Sequence, residues 1–242
     1  MSGGSIQGAT VSGQTDSLVI NGTSLNLVNT ALSSVEVVTT NSSAGTYFYL
    51  GVTQSEQVTY AGHTTSTAYD TFVFGATNLN AGGGTASATA TTDLITNFTW
   101  TGPGTGDKLA FSATAFAAFT DAGGTGLDIV VGTAGGGISL ADGDIFIISS
   151  ANVDLFSLSA ISTAIGTFSG ILNSVDTAVS SADAIFIITD QNTTRSGVYL
   201  WSNNAGGATG TGQGVNISEL YMLGVVSTVI GTNAGASDIL FI

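Results

Sequence analysis

Short runs of Val, Ile, Phe, Tyr and Thr recur along the chain, separated by Gly, Asn, Ser and Asp. β-branched and aromatic residues suit a pleated, half-buried surface, and the separators are turn formers, so the pattern predicts strands throughout. The predicted strands are 17–20, 34–39, 46–53, 57–60, 71–74, 93–100, 108–111, 128–131, 144–149, 183–189, 197–201, 221–225 and 239–242. Helical spacing is confined to 113–119 and to 155–172, where Leu155, Leu158, Ile161, Ile165 and Phe168 share one face. A short turn is expected near Ser218 and Leu220.

Three segments echo one another, each an Asp followed by an apolar run: Asp144 to Ser149, Asp183 to Thr189, and Asp238 to Ile242. Unbroken apolar runs of this length suit strands covered on both faces. Gly-rich breaks fall at 80–92, 102–106, 132–137 and 206–214. The expected fold is all-β, either a β-sandwich or a β-roll or solenoid-like arrangement, with Gly-rich loops and at most one or two short helices. A composition shift after Gly84 divides it softly into an N-terminal β region, 1–84, and a second β domain, 85–242, unless the break is a long loop within one domain.

Composition narrows the function. Hydrophobic residues make up 43% of the chain and charged residues only 7%, so it can build a core beneath a surface of Ser, Thr, Asn and Gly. Lys108 and Arg195 stand against sixteen acids, thirteen of them Asp, for a formal charge of −14. Nucleic-acid binding needs cations to displace phosphate counterions, and two do not suffice. Adhesion to anionic lipid fails for the same reason. No cysteine is present, so disulfides and thiolate sites are excluded. No run of 18 apolar residues suggests a transmembrane helix. Met1-Ser2-Gly3-Gly4 resembles no signal peptide, so export would require a signal elsewhere.

The segments Tyr69-Asp70-Thr71-Phe72-Val73-Phe74-Gly75, Thr92-Asp93-Leu94-Ile95-Thr96-Asn97-Phe98 and Gly106-Asp107-Lys108-Leu109-Ala110-Phe111-Ser112 follow one another in an order that resembles the end of the calcium-binding β-roll in RTX-type proteins secreted by type I systems. The strand pair 184–189 and 196–201, with the tail Asp238 to Ile242, is similar to the secretion domain that closes such proteins. The resemblance implies an RTX C-terminal-like domain in 85–242, export through a type I system and folding outside the cell. It also implies calcium at Asp70, Asp93 and Asp107. The Gly-Gly-x-Gly-x-Asp nonapeptide does not recur as a repeat, and Asn97 stands where the family's Asp-x-Ile-x-Asp-Phe segment has a second Asp. In style the chain is also similar to surface-layer and biofilm-matrix proteins.

Candidate chemistry is sparse. His63, the only histidine, lies in the polar turn Gly62-His63-Thr64-Thr65 and reads as an exposed loop residue. A Ser-His-Asp arrangement through it stays open, but no Gly-x-Ser-x-Gly elbow accompanies it. Asp142 and Asp144 form the closest acidic pair, suited to a turn, to a shared calcium or to acid–base work on a glycoside. The alternation Thr85 to Thr91 would place hydroxyls on one face of a strand. Tyr47, Phe48, Tyr49, Trp100 and Trp201 would stack on sugars or fill a core. Soluble monomers guard sheet edges with charges, above all Lys. A dozen strands with two cations leave most edges unguarded, and 237–242 is a candidate strand donor. The expected function is an extracellular structural protein, not an enzyme, that assembles with copies of itself into a filament, surface layer or matrix, with calcium as a possible support. The alternative is a secreted adhesin-type module that binds cell-surface glycans.

Overall fold

The computed structural model describes residues 4–9, 14–28, 30–50, 57–64, 68–75, 92–100, 104–112, 129–132, 145–150, 152–167, 183–202, 217–230, 234 and 237–242. Among these residues sixteen strands form three sheets, of two, five and nine strands, with one α-helix, α1 (Leu158–Thr167). The fold is all-β, as the alternation of apolar and polar residues predicts. Asp142, Asp144, the Thr85–Thr91 alternation and the helix expected at 113–119 lie outside the described residues.

The first part of the chain steps repeatedly between sheets. β1 (Gly4–Gln7), β2 (Ser17–Ile20) and β3 (Ser24–Asn26) are followed by β4 (Thr30–Ser33), β5 (Val37–Thr40) and β6 (Tyr47–Tyr49), each of which pairs in parallel with its counterpart in the first passage. Then β7 (Thr59–Ala61) and β9 (Leu94–Thr96) extend one sheet, and β8 (Thr71–Phe74) and β10 (Lys108–Phe111) extend the other. The chain's last strand, β16 (Ile239–Phe241), adds to β10. Of the two large sheets, the smaller is therefore β16-β10-β8-β6-β3, parallel throughout.

The larger sheet has nine strands, β11-β12-β13-β14-β15-β9-β7-β5-β2. Its far half consists of β11 (Ile129–Gly132), β12 (Ile145–Ser150), β13 (Asp183–Asp190), β14 (Arg195–Ser202) and β15 (Leu220–Val226). The β13–β14 hairpin and the β14–β15 pairing are antiparallel, while β15 rejoins β9 in parallel. Hydrogen-bonded pairing thus runs across residue 84, because β9 and β10 pair with β7 and β8.

Register stacks like on like. Phe48 faces Phe72 with ring centroids 5.1 Å apart, and Phe74, Phe111 and Phe241 continue a second column at 5.6 and 5.9 Å. Offset and tilted rings at such separations add to the burial of their area. In the far half the period of two sorts side chains between two cores. Ile145, Ile147, Ile185, Ile187, Val198 and Leu200 join the cluster that holds these phenylalanines. Phe146, Ile148, Phe186, Ile188, Tyr199 and Trp201 face Leu158, Ile161 and Ile165 of α1. The apolar runs of β12 and β13 are buried on both faces, as expected. The third run behaves otherwise: β16 is the outer strand of the smaller sheet, with Phe241 half-buried and Ile242 exposed. The proposed donor segment is therefore already paired on one side within its own chain.

At the opposite end β2 and β3 are the outermost strands of their sheets. Tyr47 N–H donates to the Thr23 carbonyl at 2.9 Å, and Leu27 N–H donates to Tyr49 at 3.0 Å. Strand backbone groups alternate in direction, so Ser24 and Asn26 turn theirs to the open side. The Asp16 and Ile20 carbonyls accept from Val37 and Asn41, which by the same alternation turns Ser17 and Val19 outward. Both cations lie away from these edges, Lys108 in β10 and Arg195 in β14.

Candidate functional site

Acidic residues sit immediately before strands, at the corners where the chain turns from one sheet into the next. Asp70, Asp107 and Asp238 precede β8, β10 and β16, and Asp16, Glu36 and Asp93 precede β2, β5 and β9. At such a corner amides leave the ladder and need other acceptors. A short carboxylate one residue ahead of the strand can supply them.

Asp70 and Asp107 do so in the same way. Asp107 accepts Asp70 N–H at 2.7 Å and Thr99 N–H, eight residues upstream, at 2.7 Å. Asp70 accepts Thr46 N–H at 2.8 Å and His63 N–H, seven residues upstream, at 2.7 Å. Since Tyr47, Thr71 and Lys108 lie in one register column, each carboxylate spans from the previous strand's lead-in residue to the turn before its own strand. Asp238 accepts Gly104 N–H at 2.7 Å. On the other corner Glu36 accepts Asp16 N–H at 2.6 Å, and Asp16 in turn accepts Ala9 N–H. Hydrogen bonds to an ionised acceptor are roughly twice as strong as neutral ones.

Asp93 breaks the pattern. It occupies the same column as Glu36, but it is buried and its Oδ1 has no hydrogen-bond partner. Burial pushes its carboxyl well up from the ordinary range, which favours the neutral acid. Asp107 is pushed up to about 6, by burial first and by the Asp70 charge, against the amides of Thr99 and Asp70 and the pull of His63.

His63 is not an exposed loop residue. Its side chain is 9% accessible, and Nδ1 lies 2.8 and 2.9 Å from the two Asp70 oxygens. Nε2 contacts the carbonyl of Ser42, in the turn between β5 and β6. An Asp–His pair therefore exists, but the nitrogen that would take a nucleophile's proton faces a backbone carbonyl. The spacing that could have exposed this site is the similar interval, seven residues from His63 to Asp70 and eight from Thr99 to Asp107.

Of the residues expected to hold calcium, Asp70 and Asp107 are brought together and their oxygens accept N–H groups, while Asp93 stands apart in the other corner column. Among the described residues no group of three or more His, Cys, Asp or Glu is placed to hold a metal ion. Asn97 has a local structural role. It adopts a left-handed backbone, φ 56°, directly after β9, and its side-chain amide donates to the Gly62 carbonyl at 3.3 Å. Asn tolerates that conformation better than most residues.

A further acid escaped the sequence reading. Asp190 closes the β13–β14 hairpin, accepting the Asn192 and Thr193 amides, the Thr193 hydroxyl at 2.6 Å and Asn152 N–H at 3.0 Å. The Thr193 hydroxyl bond, with these amides, holds its carboxyl below the usual range.

The aromatics divide. Phe48 and Trp201 are core residues, and Trp201 Nε1 donates to Glu219 at 3.2 Å. Trp100 is half-buried, whereas Tyr47 and Tyr69 are exposed and the Tyr47 ring stacks on Tyr49 with centroids 6.4 Å apart. Among the described residues no helix is long and apolar enough to cross a membrane. No protein-family model matches the chain, and no curated protein sequence matches it.

Proposed function

We propose that the protein is an extracellular structural subunit that assembles with copies of itself through open strand edges. The observation that carries this reading is the pair of outer strands β2 and β3 at one end of the molecule. Both turn unpaired backbone groups outward among the described residues, and neither Ser17–Ile20 nor Ser24–Asn26 contains a Lys, Arg or Pro. Val19, on one of these edges, is 44% exposed. Exposed edges of this kind are templates for another strand unless charge or cover blocks them. The outer strands at the other ends of these two sheets are β11 and β16. Export by a type I system and folding outside the cell accompany this reading, on the strength of the Asp-led segments that resemble RTX-type proteins.

Size-exclusion chromatography and negative-stain imaging across a concentration series test it. Assembly that grows with concentration and is lost in Val19→Lys supports the reading. A monodisperse monomer at high concentration, or assembly indifferent to Val19→Lys, overturns it. A second reading, glycan binding, is favoured by exposed Tyr47, whose ring stacks on Tyr49, and by exposed Tyr69. A glycan-array signal abolished by Tyr47→Ala would support it.

A further inference from the structure

His63 joins two turns that lie far apart in sequence, and every group its ring touches is an acceptor. Nδ1 meets the Asp70 carboxylate at 2.8 and 2.9 Å, and Nε2 meets the Ser42 carbonyl. A neutral imidazole has one N–H and one lone pair, so it can satisfy only one of these contacts while its lone pair opposes the other acceptor. The imidazolium, with two N–H groups, satisfies both. Asp70 carries more than the ring, since it also accepts the amides of His63 and Thr46. The Thr46 amide belongs to the same β5–β6 turn as Ser42. That turn is thus held to the β8 corner at two points, one of which exists in full only when the ring is charged.

We propose that His63 is a proton-operated clamp: as the imidazolium it fastens the β5–β6 turn to the corner before β8, and on losing its proton it releases that turn.

The charged groups acting on the ring are Asp70, in direct contact, and Asp107, which reaches the same corner through the Asp70 amide. The β5–β6 turn presents the uncharged Ser42 carbonyl, and Asn97, after β9, presents an uncharged amide to Gly62 beside the ring. Burial works against the charge, but the Ser42 carbonyl, the Asp70 hydrogen bond and the charges of Asp70 and Asp107 outweigh it and raise the ring above its ordinary 6.5. The clamp is closed below that raised value and opens as pH climbs through it. Protonation of Asp107, near 6, removes one of the two charges that hold the ring, so the grip is firmest between the two titrations.

With a single histidine in the chain, its imidazole resonances can be followed by NMR without ambiguity. The expected result is a midpoint above 6.5, with both ring nitrogens protonated below it. Protection of the Thr46 amide against hydrogen exchange should fall as pH rises from 6.5 to that midpoint, by about tenfold for each unit that separates the two, and level off above it. In His63→Gln the amide's protection should lose this pH dependence. A histidine that titrates at or below 6.5, or Thr46 protection that ignores its titration, overturns the proposal. If His63→Gln does not fold, the two measurements on the unaltered chain still decide.

Discussion

Strands β5, β7 and β9 are three or four residues long and meet at corners where carboxylates gather up stray amides. Strands β12 to β15 run for six to eight residues and lie between two apolar layers, one of them capped by α1. Both regions belong to one nine-stranded sheet. In the long-strand region stability is carried by side chains in the sheet faces, and the β13–β14 turn is closed locally by Asp190. In the stacked region each short strand depends on its neighbours through the register, and Asp70 and Asp107 tie one passage to the next. A strand whose partner is the next passage leaves an open edge where the passages stop. This is why β2 and β3, in the first passage, present open edges at the stacked end.

The comparison is broken most forcefully in the cores. Phe186→Ala, in the long-strand region beside Phe146, and Phe72→Ala, in the stack beside Phe48, should each cost about 3–5 kcal/mol in denaturant unfolding. Trp100 and Trp201 report on the two regions separately when each is kept alone by a Trp→Phe change in the other. Because β15 joins both regions, the two reporters should show one transition. Two separate transitions would mean that the regions are independent units.

The corner carboxylates come next. Asp107→Ala leaves the Asp70 and Thr99 amides without their acceptor and should cost about 2 kcal/mol. Asp107→Asn keeps one acceptor oxygen and should cost about half as much. Equal losses in both variants would show that the charge, not the acceptor, matters.

Dependence on pH is a smaller effect with a definite sign. The contribution of His63 is present in full below 6.5 and is lost as pH rises through its raised folded value. Asp107 and Asp93 are both raised by burial, so the folded chain holds their protons more tightly, and stability falls as pH rises from 3.8 through their folded values. Asp190 acts in the opposite sense, and its contribution is lost only as pH falls below 3.8 through its lowered value. Thermal unfolding should therefore show greatest stability on the acid side of neutrality. Asp93→Asn, which removes a group whose neutral form burial favours, should flatten the decline toward high pH. A steeper decline in that variant would contradict the assignment. The smallest effect on stability is expected of Val19→Lys, within about 0.5 kcal/mol, although it should abolish assembly.

How much of this was legible depended on where the information lay. β8 and β10 carry their own pattern, Thr-Phe-Val-Phe and Lys-Leu-Ala-Phe, and their bounds match those read from the sequence. β1, β3 and β4 carry almost none: Gly-Ser-Ile-Gln, Ser-Leu-Asn and Thr-Ala-Leu-Ser have few β-branched apolar residues and are strands because a neighbour pairs with them. The helix is shorter than the periodicity implied over its described length, beginning at Leu158, where Ser157 caps it by accepting the Ala160 amide at 3.2 Å. Asp before a strand was visible, but its partners were not. Thr46 lies 24 residues from Asp70 and is brought to it by register alone. His63 read as an exposed turn residue because nothing local reveals that Ser42 closes over it.

Hydrogen exchange at the amides of Ser24 and Asn26 tests the open-edge account most directly. Both point away from β6, so they should exchange freely in dilute solution and become protected as concentration rises. Protection already complete in the dilute monomer, or exchange unchanged in the assembled protein, would contradict it.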